Sequence, residues 1–207
     1  MGELGPWKPL SPDGVAAVLA GASFAWWFAG GWSLDFLIGE QSREHHDIDV
    51  LVLRPELARV RAHFATWDLH VADPPGKGTL CPWPSGATLN ADLHDVWCRR
   101  GADEPWCLQL MVDDVDGGDW VYRRDRRIRR PIASLGGRAS RSGRSSLLPE
   151  IQLLYKSTDL REKDQVDFDC VVPFLTAEER AWLYSALIFS SPEHEWLERL
   201  VDAPAVS

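Results

Sequence analysis

The sequence has no long hydrophobic run. No unbroken apolar stretch exceeds six residues, the length of Phe24 to Ala29, against the roughly 20 that a membrane-spanning helix needs. The opening, Met1-Gly-Glu-Leu-Gly-Pro6, lacks a basic segment followed by an apolar one, so no secretory leader is expected. Cysteine is scarce: Cys81, Cys98, Cys107 and Cys170 form neither a C-x-x-C pair nor a zinc-like spacing. That excludes a disulfide framework and a zinc cluster, and reduced thiols in a cytoplasmic protein are expected. Internal repeats are absent. Positive charge is sparse outside one strip. Residues 123–144 hold nine arginines and a single acid, Asp125, while the rest of the chain has 13 basic against 30 acidic residues. An acidic body disfavours a broad grip on nucleic acid and favours cationic partners or metal ions. The arginine strip can clamp phosphates, or it can balance an acidic fold as a solvated loop.

What is present is an ordinary globular composition, 45% apolar and 26% charged over 207 residues, with a high count of 11 tryptophans. That length buries a sizeable core. Most of the tryptophans are expected in that core, with a few free to stack a base or line a sugar pocket. Ser11-Pro12-Asp13 reads as a capped helix start. Phe24–Phe28 reads as a buried strand ending at Gly30-Gly31, followed by a helix over Trp32–Ile38 that Gly39 stops. Further strands are expected at Ile48–Leu53, Trp67–Val71, Ala91–Cys98 and Trp106–Val112, with a hairpin at Gly117-Gly118 and a return strand at Trp120–Tyr122. After Pro149 the pattern is helical, and Thr176-Ala-Glu-Glu179 is a capping box. The fold class is α+β. A mixed-sheet domain over 1–132 and a Gly/Ser/Arg-rich linker or loop over 133–147 precede a smaller helical domain over 148–207.

The chemistry concentrates in Gly30-Gly31-Trp32-Ser33 and in Arg43-Glu44-His45-His46-Asp47-Ile48-Asp49-Val50. Side chains alternate along a strand, so Asp47 and Asp49 share one face while Ile48 and Val50 take the other. Two carboxylates side by side repel unless a cation sits between them, and hard cations such as Mg²⁺ prefer oxygen ligands. A glycine turn upstream lets backbone N–H groups approach a phosphate. His45 and His46 lack partners at zinc spacing. Arg43 can pair with Asp47, with a phosphate, or in a structural ion pair. Together the pattern predicts a metal-dependent nucleotidyl-transfer site.

These residues resemble the aminoglycoside 2″-adenylyltransferase family of the DNA polymerase β-like nucleotidyltransferases. His94-Asp-Val-Trp-Cys-Arg99, Trp120-Val-Tyr-Arg-Arg-Asp125, Ile128-Arg-Arg-Pro131 and Pro149-Glu-Ile-Gln-Leu-Leu-Tyr-Lys156 through Lys163-Asp164 extend the likeness over most of residues 24–200. The resemblance implies transfer of AMP from ATP to a hydroxyl with release of pyrophosphate. The acceptor it implies is a small, hydroxylated, cationic molecule of the aminoglycoside type. It implies Asp47 and Asp49 as ligands of two Mg²⁺ ions, and Gly30 and Gly31 as the shape of the phosphate pocket with Ser33 or the Trp32 backbone beside them. A third carboxylate is expected from a later strand, as metal ligand or general base. Asp92 is the first candidate, on a strand face shared with His94. Asp95 would face the other way, and Asp113 and Asp114 are reserves. Lys156 and Lys163, seven apart on a helical pattern, can reach the triphosphate. Asp164 and Asp167 would by default be exposed acids, able to contact a cationic acceptor. Two alternatives remain open at this point: nucleotidyl transfer to a protein or RNA, and a catalytically silent nucleotide-binding module of a toxin–antitoxin or regulatory complex.

Overall fold

The computed structural model describes residues 4–136 and 144–202. In chain order the elements begin with α1 (Pro12–Val18), β1 (Trp26–Ala29), α2 (Gly30–Ile38), β2 (Asp49–Leu53), α3 (Leu57–His63), β3 (Asp68–Ala72) and β4 (Leu80–Pro82). They continue with β5 (Asp95–Arg99), β6 (Leu108–Asp116), β7 (Asp119–Val121), β8 (Arg129–Pro131), α4 (Pro149–Lys156), α5 (Glu162–Val171), α6 (Ala177–Ser190) and α7 (Trp196–Asp202). The chain divides into two compact units, one of Met1–Trp27 with His45–Val115, the other of Phe28–Glu44 with Asp116–Ser207. The class is α+β with a mixed sheet. No helix among the described residues is long and apolar enough to cross a membrane.

The first unit is built on a sheet in the order β2-β6-β5-β3-β4. β2 and β6 run parallel, with Asp49 opposite Gln109 and Leu53 opposite Asp113. The β6–β5, β5–β3 and β3–β4 pairs are antiparallel. Paired residues share a face, so the register sorts the side chains. One face carries Val50, Val52, Leu69, Val71, Val96, Cys98, Leu108, Leu110 and Val112, all buried. The other face carries Asp49, Gln109, Asp95, Trp97, Arg99, Asp68 and His70, each only partly buried. Residues 6–10 lie along Trp106-Cys107 through backbone hydrogen bonds from Lys8 N to Trp106 O (2.8 Å), Trp106 N to Pro6 O (3.0 Å) and Leu10 N to Cys107 O (2.9 Å). Ser11 caps α1 as its sequence predicts, its hydroxyl accepting from Gly14 N at 3.1 Å.

The second unit joins α2 to the β7–β8 hairpin and to helices α4 through α7. Leu34, Leu153, Leu154, Phe168, Leu183, Leu187 and Trp196 form its core, and Phe168 and Trp196 stack with centroids 4.1 Å apart. The expected capping box forms, Thr176 Oγ1 accepting from Glu179 N and Glu179 Oε2 from Thr176 N. Gly39 ends α2 in the left-handed conformation, φ 95°. Around the Arg/Gly/Ser-rich stretch, Gly136 bridges to Leu147 and Leu148 N donates to Leu135 O at 2.8 Å. Residues 137–143 of the expected linker lie outside the described residues.

Two local expectations change. The strand expected from Ala91 begins at Asp95, with Ala91 and Asp92 in a turn. The glycine pair is not a turn after β1 but the first two residues of α2, both buried, with Gly30 at φ 64°. A Cβ at that φ is strained by roughly 1–2 kcal/mol. Gly30→Ala is therefore expected to lower the thermal midpoint by about 2–8 °C, given the roughly 2–4 °C per kcal/mol of a chain this size. An unchanged midpoint in a thermal scan would show that the backbone relaxes to accept the methyl group.

Candidate active site

The start of β2 is where the paired carboxylates sit. Residues 47–50 alternate partly buried, buried, partly buried, buried. Ile48, fully enclosed, continues the ladder beyond the strand's first residue, its carbonyl accepting from Gln109 N at 3.0 Å. The extended backbone through Ile48 puts Asp47 and Asp49 on one side, as the sequence predicts.

Of the candidates for a third carboxylate, Asp92 does not stand on the strand that the sequence predicts for it. Asp92 is exposed, in the turn before β5, and shares no strand face with His94. The turn is fixed by Arg54, whose guanidinium donates to Asn90 O, Ala91 O and Leu93 O at 3.0–3.1 Å while its Nε binds Asp114 Oδ1 at 2.5 Å. His94 turns inward, Nδ1 donating to Val112 O at 2.8 Å. Asp114 is thus committed to Arg54, and Asp113 is 1% exposed. Asp95 is the carboxylate that the register brings to the right side. It pairs with Met111, Met111 pairs with Leu51, and Leu51 shares the face of Asp49. Gln109, opposite Asp49, donates from Nε2 to Asp95 Oδ1 at 3.1 Å and so links the two acids' rows. The sequence carried a signal for this: Val96 and Cys98 are the apolar positions of the strand, so Asp95, Trp97 and Arg99 must take the polar face.

Among the described residues, no three His, Cys, Asp or Glu side chains gather closely enough to hold an ion unaided. The donor chemistry still fits Mg²⁺. That ion keeps several waters and is typically bound through one or two carboxylates plus substrate phosphates. It does not fit zinc, which wants nitrogen and sulfur ligands in a closed set.

The cationic candidates lie in the second unit, and most are engaged. Arg43 grips Asp167 with both arms, Nε to Oδ1 at 2.7 Å and Nη2 to Oδ2 at 2.9 Å. Lys156 is buried and contacts Asp164 Oδ1 at 3.1 Å and Asp167 Oδ2 at 2.7 Å. Arg161 closes the cluster on Asp164, Nε to Oδ2 at 2.6 Å. Asp164 and Asp167 are 1% exposed, not the solvated acids that their helical pattern predicts. Burial pushes both carboxyls up, but the hydrogen bonds and positive charge of Arg161, Arg43 and Lys156 outweigh it and hold both below the ordinary range. Lys163 is exposed. At the head of α2, Gly30 N donates to Gln152 Oε1 at 2.8 Å and Ser33 Oγ to Gly30 O at 2.9 Å. Sequence reasoning did not single out Asp35, buried at 3%, which accepts from Ser42 N at 3.1 Å and Ser42 Oγ at 2.6 Å and so ties the loop after α2 back to the helix. Of the arginine strip, Arg124, Arg127, Arg129 and Arg130 bind Tyr155 O, Asp125, Asp116 and Glu150 within the same unit. Carboxylates thus answer the charge of Arg127, Arg129 and Arg130.

Residues 13–69 match the family model described as aminoglycoside-2″-adenylyltransferase, a span that contains the glycine pair and both aspartates of β2's entry. The likeness read from those motifs is thereby borne out over that segment. No curated protein sequence matches the chain. Two solved structures resemble it over most of their length. One is the lincomycin-bound lincosamide antibiotic adenylyltransferase LnuA, at TM-score 0.55 and 17% identity, covering 81% of this chain and all of that one. Another is the antibiotic-resistance factor ANT(2″)-Ia in solution, at TM-score 0.53 and 16% identity, covering 87% of this chain and 91% of that one. At such identities the likeness establishes a shared fold.

Proposed function

We propose that this protein is a metal-dependent adenylyltransferase that moves AMP from ATP to a hydroxyl group of a small cationic molecule of the aminoglycoside type. The observation that carries the reading is that Asp49 and Asp95 lie on the same polar face of one sheet, within a chain whose glycine pair and D-x-D fall in the matched segment. Asp47 and Asp49 are the residues to hold divalent ions. When bound, such ions would neutralise charge on the attacking and leaving oxygens of an in-line displacement. The acceptor's hydroxyl oxygen forms the new bond to the α-phosphorus, the bond from that phosphorus to the β-phosphate bridging oxygen breaks, and pyrophosphate departs. Asp95 takes the hydroxyl proton. Its Oδ1 is fixed by Gln109, and an orienting hydrogen bond of this kind positions a general base without consuming its second oxygen.

The acidic balance of the chain, net −9, supports a cationic acceptor, because a field of one sign concentrates ligands of the other. The test is pyrophosphate release from ATP and Mg²⁺ with a panel of aminoglycosides and lincosamides. Release is expected with at least one aminoglycoside. It should drop by about 10²–10⁴-fold in Asp95→Asn, the usual contribution of a positioned base, and stay near wild type in Asp92→Asn. Silence across both antibiotic classes would remove the acceptor assignment. A reversed pattern, with Asp92→Asn dead and Asp95→Asn active, would remove the base assignment.

A further inference from the structure

The row that begins at Asp49 continues across the sheet through Gln109 and Trp97 to His70. Adjacent strands lie about 4.8 Å apart, so the Trp97 backbone is roughly 10 Å from that of Asp49. The Trp97 indole meets Trp7 edge to face, centroids 4.8 Å apart at 72°, and Trp106 at 5.8 Å and 73°. Trp7 is held there by the backbone bonds that lay residues 6–10 along Trp106-Cys107. The cluster's cations are allocated unevenly. Arg99 lies over Trp106, its guanidinium 4.2 Å from the ring centroid, and pairs with Asp68 at 2.7 Å. His70 Nε2 also contacts Asp68, at 3.0 Å. Trp97 and Trp7, both partly exposed, have no protein cation over their rings among the described residues. Asp95 stands two residues from Trp97 on the same face, and Asp49 stands in Trp97's own row.

An uncapped indole beside carboxylates is the combination that recognises an ammonium-bearing ring, since the ring face attracts a cation within about 6 Å and nearby negative charge adds to it. We propose that Trp97, walled by Trp7, is a specificity-determining residue. It receives a protonated amino-substituted ring of the acceptor while a hydroxyl on the neighbouring ring is presented toward Asp95. The inference rests on the acceptor reading above and adds to it the residue that chooses among acceptors.

The test uses tobramycin as the probe and measures binding by calorimetry without nucleotide, alongside pyrophosphate release. Trp97→Ala is expected to weaken tobramycin binding about tenfold, with Trp97→Phe intermediate, Trp7→Ala weakened less, and the affinity for a non-hydrolysable ATP analogue unchanged. The unchanged nucleotide affinity separates this role from a folding defect, and Trp97→Phe keeps the ring should the alanine variant fail to fold. Wild-type protein that binds tobramycin as tightly as Trp97→Phe and Trp97→Ala overturns the subsite and leaves the adenylyltransferase reading intact. Binding that depends on Trp97 without any pyrophosphate release across the aminoglycoside and lincosamide panel upholds the subsite and overturns the transfer reaction. Wild-type protein with no affinity for tobramycin overturns the subsite.

Discussion

Asp49→Asn is expected to abolish adenylyl transfer while leaving the protein folded. The substitution preserves shape and hydrogen-bonding size and removes one negative charge. Asp49 opens β2 at the edge of the polar face, partly exposed, so the change is made where water reaches the side chain. The effect falls on whatever cation the carboxylate holds. Charge stabilisation by a bound divalent ion is worth several kcal/mol in the transition state, and each 1.36 kcal/mol is tenfold in rate. A loss of at least about 10³-fold in kcat follows, with Asp47→Asn close behind. Two further measurements make the result specific. The thermal midpoint should move by less than about 2 °C, as for a surface change of under ~0.5 kcal/mol. The midpoint's rise on adding Mg²⁺ with an ATP analogue, expected for wild type by mass action, should vanish in the variant. Retained turnover in Asp49→Asn would place the chemistry elsewhere in the molecule.

How far the sequence leads to this site depends on which contacts are local. Alternation over Asp47-Ile-Asp49-Val is a property of four consecutive residues, and the structure keeps it. Helix caps at Ser11, Gly39 and Thr176 are likewise written within one turn of chain, and all are in place. Asp95 reads as facing away from the site because the expected strand takes its polar face from Asp92 and His94, the face that Val96 and Cys98 mark as apolar. Had Val96 and Cys98 been used to set the strand's phase, Asp95 and Trp97 would have turned outward together. Whether they then meet Asp49's face depends on β6 lying between β2 and β5, which is a matter of strand order and is not encoded in any single segment. The same limit applies to Asp167. Its helix gives no reason to bury it. The reason is Arg43, 124 residues earlier in the chain, together with Lys156 on the neighbouring helix.

That buried cluster sets the largest expected stability effect. Lys156→Met removes a cation that touches both Asp164 and Asp167. Breaking a buried pair by deleting one partner costs about 3–5 kcal/mol, because the partner charge stays behind in a poorly solvating place. Here the lower end applies, since Asp167 retains Arg43 and Asp164 retains Arg161. A cost of about 3 kcal/mol lowers the thermal midpoint by roughly 6–12 °C. The pH dependence carries the diagnostic sign. Both carboxyls titrate below their ordinary value in the folded protein. The unfolded chain therefore binds more protons as the pH falls below the ordinary carboxylate range, near 4. The stability contributed by the cluster is fully present above that pH and is lost as acid carries the solution down through the depressed folded values. Without Lys156, both carboxyls rise toward or above their ordinary values, so the acid-unfolding midpoint of Lys156→Met must move to higher pH as well as the protein being weaker at neutrality. Urea unfolding at pH 7 and acid titration followed by circular dichroism read the two effects separately. A variant as stable as wild type at pH 7, with the same acid midpoint, would mean that Arg43 and Arg161 alone neutralise the pair and that Lys156 is available for a ligand's phosphates.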